Sequence, residues 1–258
     1  MILASRSRPL RLVLAIALIG ALAAGGGLVT FFVGGDPPAP VSILPTASPG
    51  GGPTAVPSGP VAAASGEPGT TDAPSGIEGA WAMDTSVGSF TDFSGTWAGF
   101  RVDEILGQGI GSTTAVGRTP GVSGELTIDG ALLTTTRIEV DLTRIVSDRT
   151  RRDDAIQRTL GTGDFPTATF ELTAPVELGA EAAAGGVIST IASGRLTIHG
   201  VTRDVAVDLE ARLADDRILV VGSTPFAFSD YGMTAPTAPI VLSVADDGTL
   251  EFQLFFSR

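Results

Sequence analysis

GRLTIHGVTRDV, residues 194–205, is the stretch from which the fold can be read. Before its centre Leu196 and Ile198 alternate with Arg195, Thr197 and His199. After it Val205, Val207, Leu209, Ala211 and Leu213 alternate with Ala206, Asp208, Glu210 and Arg212. A period of two is that of strands with one wet face, so the stretch predicts a β-hairpin turning at its middle. The pattern recurs through the last two thirds of the chain. Phe100 and Val102 share one face, as do Val122, Leu126 and Ile128. Ile138, Val140 and Leu142 follow a turn at Asp129-Gly130, a favoured hairpin dipeptide. Further on come Ala168, Phe170 and Leu172, then Phe226 and Phe228, then Ile240, Leu242 and Val244, and finally Leu250, Phe252, Leu254 and Phe256. A run of one-sided strands has to close around a hydrophobic interior, which predicts an all-β domain. One short amphipathic helix is expected over 149–160, placed to plug one end of a barrel.

The rest of the chain divides by composition. Arg6, Arg8 and Arg11 lie in a basic flank, 1–11, ahead of an uncharged run of 22 residues, 12–33. A bilayer takes about 20 apolar residues as a helix, so 12–33 reads as a transmembrane anchor with its basic flank in the cytoplasm. The competing reading is a cleaved signal peptide, with Ala21-Leu22-Ala23 as a small-residue site. The first gives a single-pass protein of the cell membrane with its domain on the extracytoplasmic side, and the second a secreted protein. Residues 34–79 hold ten of the 17 prolines and ten of the 34 glycines. So few apolar groups cannot offset the entropy of ordering, and the segment reads as a disordered linker. Residues 80–258 are then one β-domain, with no second core. The chain has no cysteine, which excludes disulfides and a lipidated cysteine. From Ile77 onward 13 arginines face 25 acidic residues, a balance that disfavours nucleic acid and anionic surfaces as partners.

Catalysis finds little support in the residues. His199 is the one histidine and falls at a hairpin, with no nucleophile or carboxylate at a motif spacing. Asp153-Asp154, Asp215-Asp216 and Asp246-Asp247 are adjacent pairs without calcium-loop spacing, and read as solvated charge. No catalytic residue, metal site or cofactor is assigned. Asp153 stands apart, since a carboxylate at a helix start can accept backbone N–H bonds, a structural role.

In order along the chain, AGFRVDEIL (98–106), AVGRTPGVSGELTIDG (115–130), SDRTRRDDAI (147–156), GDFPTATFELT (163–173), GRLTIHGVTRDV (194–205) and GTLEFQLFF (248–256) resemble the YceI-like family across essentially the whole domain. The most specific parts are the Arg152-Asp153 pair ahead of the helix, Phe165-Pro166 with Phe170, and the hairpin. The resemblance implies a lipocalin-like antiparallel β-barrel of about eight strands, whose apolar interior binds a polyisoprenoid or similar long-chain lipid. Its bore would be lined by Phe100, Val102, Leu126, Ile128, Ile138, Val140, Phe170, Leu172, Leu196, Ile198, Val205, Val207, Leu209, Phe226, Phe228, Leu242, Phe252 and Leu254. Arg101 and Arg118, at expected strand ends, are candidates to meet a charged head group. Two other classes stay open: a structural or interaction barrel whose bore is filled by its own phenylalanines, and a lipid-modifying enzyme with carboxylates at the mouth. A homodimer is left open as well.

Overall fold

The hairpin at the centre of GRLTIHGVTRDV forms as its alternation requires. His199 and Gly200, with φ of 51° and 73°, make a two-residue turn that closes Ile198 on Val201. Two successive positive φ values match the right-handed twist of the flanking strands, and glycine takes the second at no steric cost. The computed structural model describes residues 38–43, 76–147, 150–238 and 240–258. The expected anchor, 12–33, and most of the expected linker lie outside them. No described helix is long and apolar enough to cross a membrane.

In chain order the elements are β1 (Gly79–Met83), β2 (Trp97–Leu106), β3 (Gly111–Thr119), β4 (Val122–Asp129), β5 (Leu132–Asp141), β6 (Val146–Ser147), α1 (Thr150–Leu160), β7 (Thr167–Leu172), β8 (Val176–Glu177), α2 (Gly179–Ala183), β9 (Ile188–Ile198), β10 (Val201–Ala214), β11 (Arg217–Ala227) and β12 (Val241–Ser257). An eight-stranded antiparallel barrel closes through the neighbours β1, β4, β5, β7, β9, β10, β11 and β12, the last of which returns to β1. Closure removes the free edges that an open sheet would expose. β12 is long enough to fork. Its last residues pair with β1, while its body pairs with β2, and β2 pairs with β3, which runs on into β4 across Pro120-Gly121. The two routes from β12 to β4 thus complete the wall at opposite ends.

Two buried clusters fill the ends. Leu142, Ile145, Ile156, Leu160, Ala168, Ile198 and Tyr231 gather where α1 plugs the barrel. Ile77, Trp81, Leu126, Ile128, Ala182, Ile218, Leu254 and Phe256 gather where α2 covers it. Ile77 is already in the core and accepts a 2.8 Å hydrogen bond from the Trp81 indole, so the packed domain begins slightly before residue 80. α1 falls where the sequence pattern places it. The one-turn α2 has no such pattern and rests on burial of Ala182.

Other expectations need correction. Phe228 opens a 3₁₀ turn, Ser229–Tyr231, and does not continue the strand of Phe226. The segments around Ile240–Val244 and Leu250–Phe256 are one 17-residue strand, β12, with two register shifts. At the first, Val241 pairs with Leu106 and Ser243 with Ile105, which leaves Leu242 as the extra residue of a β-bulge. A bulged residue leaves the in-out alternation, and Leu242 is 72% exposed, the reverse of the inward position expected of it. Within the expected linker, residues 38–43 lie against the outside of the barrel. Pro38 O accepts from Arg101, while Ser42 Oγ and Ile43 N donate to the Glu210 carboxylate at 3.0 and 2.6 Å.

Candidate functional site

Between the two end clusters runs a cavity of about 230 Å³, from Leu142 and Leu160 at the α1 end to Leu178 and Ala182 at the α2 end. Its wall is the inward row of each strand. Phe100, Leu126, Ile128, Ile138, Val140, Phe170, Leu172, Leu196, Ile198, Val207, Leu209, Phe252 and Leu254 line it, all expected there from alternation. Val102, Phe226 and Phe228 line instead a smaller chamber of about 70 Å³ between β2, β3, α1 and the ends of β11 and β12. The two spaces share Phe100, Leu160, Ile198 and Leu250 as lining. Val205 packs against the core at the α1 end without reaching either wall, and Leu242 points to solvent.

Phenylalanines on an inward face can fill a bore or line it, and the glycines opposite decide which. The Phe100 ring lies 2.6 Å from where a Cβ on Gly117 would stand, the Phe252 ring 2.5 Å from that of Gly222, and the Phe226 ring 2.8 Å from that of Gly248. Phe170 leans on Gly194 in the same way. Phe100, Phe252 and Phe226 each pair directly with their glycine across the ladder. Every ring occupies the space a side chain would take on the neighbouring strand, so the rings lie along the sheet and the axis stays open. Glycine inside a strand marks such close approach. That signal was present in the sequence at Gly117, Gly194, Gly222 and Gly248. Wall residues that alternation alone did not single out include Leu133, Ala192, Ile218 and Val220.

Polar residues on the main wall are few: Arg212, Glu251 and three threonines. Thr119, Thr136 and Thr224 each donate their hydroxyl to a backbone carbonyl, of Asp141, Glu125 and Ala206. The smaller chamber differs. Glu104 follows Phe100 and Val102 in the inward row of β2 and is 5% exposed, and Arg152 of α1 donates to its Oε1 at 2.5 Å. Arg152, Ile156, Thr159 and Leu160 reach the chamber from one helix face, at the i, i+4, i+7, i+8 spacing. The neighbouring Asp153 accepts from Ser147 N and Oγ, both at 2.7 Å, and ties α1 to β6, the structural role expected of it.

The arginines expected to meet a head group are elsewhere. Phe100 and Leu250 face in, so alternation turns Arg101 and Glu251 outward, and Arg118 turns outward beside the inward Gly117. Glu251 accepts from Arg101 Nε at 2.8 Å and from Arg118 Nη2 at 2.7 Å. The Arg118 guanidinium lies 3.9 Å over Trp97 and 4.4 Å over Phe93, and its side chain and that of Glu251 are 4% and 2% exposed. This is a buried ion pair whose side chains the strand alternation turns away from the bore. Nearby, hydrogen bonds from Ser86 and then Arg217 hold the Asp84 carboxyl at a pKa of about 2. At the α1 end His199 Nδ1 lies 3.2 Å from Tyr231 O and its ring packs on Phe165, as befits a turn residue. Burial raises the Tyr231 phenol, with Asp230 adding to it.

Residues 81–256 match the sequence pattern of the YceI-like domain. No curated protein matches the chain. Among solved structures, a polyisoprenoid binding domain from Saccharophagus degradans is 19% identical, with a TM-score of 0.50 over 70% of this chain and 98% of that one. BcnA of Burkholderia cenocepacia is 17% identical, with a TM-score of 0.48 over 62% of this chain and 94% of its own. A YCEI protein of Campylobacter jejuni is 19% identical, with a TM-score of 0.44 over 55% and 84%. At these identities the first likeness is one of fold.

Proposed function

We propose, for a chain that belongs to the YceI-like domain family, that the barrel binds a polyisoprenoid or similar long-chain lipid along its axis, without catalysis. The observation that carries this reading is the open apolar cavity, with its phenylalanines laid over glycines. An isoprenoid chain offers only apolar surface, so affinity comes from area removed from water, at about 25 cal/mol per Å². A long thin bore walled by leucine, isoleucine, valine and phenylalanine supplies that area, and a barrel of eight strands is about wide enough for one slender ligand. The wall threonines are already satisfied and make no competing demand for water. The Saccharophagus degradans domain, a polyisoprenoid binding domain of similar fold, agrees with this reading. The N-terminal apolar run would keep the barrel at the outer face of the cell membrane, within reach of such lipids.

The test is a pair of substitutions on adjacent residues of β10, read with squalene, an isoprenoid that lacks a head group. Val207 faces the cavity and Asp208 faces away. Val207→Trp in the full chain is expected to abolish squalene binding with folding retained, because the ring has space to enter. Asp208→Ala is expected to change neither by more than about 0.5 kcal/mol. A Trp variant that binds squalene as the parent does, or a parent that binds none, contradicts the proposal.

A further inference from the structure

The outer wall of the barrel carries a piece of chain that composition assigns to the linker. Residues 38–43, Pro-Ala-Pro-Val-Ser-Ile, run from Arg101 on β2 to Glu210 on β10. At the first end Arg101 Nη2 donates to Pro38 O. At the second Ser42 Oγ and Ile43 N donate to the Glu210 carboxylate at 3.0 and 2.6 Å, and bonds to an ionised acceptor are the stronger kind. The wall beneath is closed to water. Glu210, Val221, Gln253 and Trp97 form one outward row across β10, β11, β12 and β2. Val221 is turned outward by its place beside the wall residue Val220, yet it is 3% exposed. Next to it on one side Gln253 Nε2 donates to Phe93 O and Gly95 O, and on the other Glu210 holds Ile43. Val41 and Ile43 are half-buried. Pro38 and Pro40 have fixed φ before docking, so the segment gives up little backbone freedom when it docks.

Resting on the reading of 12–33 as an anchor, we propose that 38–43 is a strap, that the outer wall at Arg101, Val221 and Glu210 is its docking surface, and that the docked strap sets how far the barrel stands from the bilayer. Residues 34–37 alone separate the end of the apolar run from Pro38. Five peptide steps reach at most about 17 Å, and four flexible residues have an r.m.s. span of about 10–12 Å. An undocked tether of the 42 residues 34–75 would span about 32–39 Å. Docking takes residues 44–75 out of the tether and keeps the bore beside the bilayer.

Two measurements on the full chain test this. The chain has no cysteine, so spin labels can be placed through Ala39→Cys and Asp216→Cys, the second in the exposed β10–β11 turn. Otherwise unchanged, the labelled chain is expected to give one narrow distance by double electron resonance. Glu210→Ala is expected to broaden it toward the spread of the 36 free residues 40–75, an r.m.s. of about 30–36 Å. A broad distribution with Glu210 in place overturns the strap even if Glu210→Ala fails to fold, and so does a narrow distance that Glu210→Ala leaves unchanged. The second measurement is the height of a fluorescent donor at Asp216→Cys above acceptor lipids in phosphatidylcholine vesicles. About twelve Gly/Ser residues inserted between Gly34 and Gly35 are expected to double the r.m.s. tether, and the same insert between Gly50 and Gly51 to leave the height unchanged. An undocked tether lengthens by about 13% with either insert, so equal responses, or none to the first insert, overturn the proposal. A chain that does not enter the vesicles overturns the anchor reading and the short tether with it, whereas the label distance still reports whether the strap docks.

Discussion

Gly117→Ala tests whether the space along the barrel axis is open. A methyl on Gly117 would stand 2.6 Å from one Phe100 ring carbon, 2.8 Å from the next and 3.2 Å from Ile145 Cγ2, with no backbone atom among the three. Ordinary contact begins near 3.4 Å, so the ring has to move by roughly 0.8 Å, and the cavity is the side with room. Overpacking a filled core costs about 1–3 kcal/mol, and a ring that can swing into space should cost at the lower end of that range. The ring then takes space from the ligand. Displacing one or two methylenes at about 0.8 kcal/mol each weakens binding about four- to fifteenfold. Denaturant midpoints give the first quantity and squalene titration the second. Phe100→Leu added to Gly117→Ala removes the crowding and should restore most of the affinity. Unfolding by 3 kcal/mol or more at unchanged squalene affinity, on the order expected for a jammed core, would refute the open bore.

Glu251→Gln strands the buried Arg118 guanidinium on the outer wall and should cost about 3 kcal/mol of stability, measured by chemical denaturation, with the squalene affinity of the folded protein unchanged. Asp84 ionises at a pKa of about 2 when folded, below its ordinary value of 3.8, so the unfolded chain binds the proton more readily. Its contribution to stability is complete above pH 4 or so and is lost as pH falls toward 2; Asp84→Asn should remove that part of the acid dependence in pH-resolved denaturation. If 12–33 stays as an anchor, intact mass should show the N-terminus retained and the protein should fractionate with membranes; a chain beginning near Ala24 would indicate secretion.

Most of the wall could be read from the sequence because alternation is a one-residue signal that survives wherever the register is regular. Leu196, Ile198, Val207 and Leu209 reach the bore by that rule alone. Leu242 fails it because a bulge adds a residue without any mark in the local pattern, and the phase of β12 changes there. Arg101 and Arg118 read as head-group candidates at strand ends because the Glu251 that pairs with both, on a neighbouring strand, and the aromatic rings that cover Arg118 are not visible in the local pattern. The Phe-over-glycine pairs also join different strands. Their glycines are visible one by one, but the matching of Phe100 to Gly117 or Phe252 to Gly222 depends on register. Glu104 could have been found as a charge in an apolar row, although its partner on α1 becomes evident only when the helix is packed.

The most direct measurement is the mass of the full chain purified gently from cells, first by native mass spectrometry and then after organic extraction. A protein peak carrying one long-chain isoprenoid per barrel, released by the solvent and absent from Val207→Trp, is the expected result. An unliganded mass in every preparation, together with a delipidated chain that takes up no squalene, would contradict the lipid-binding barrel.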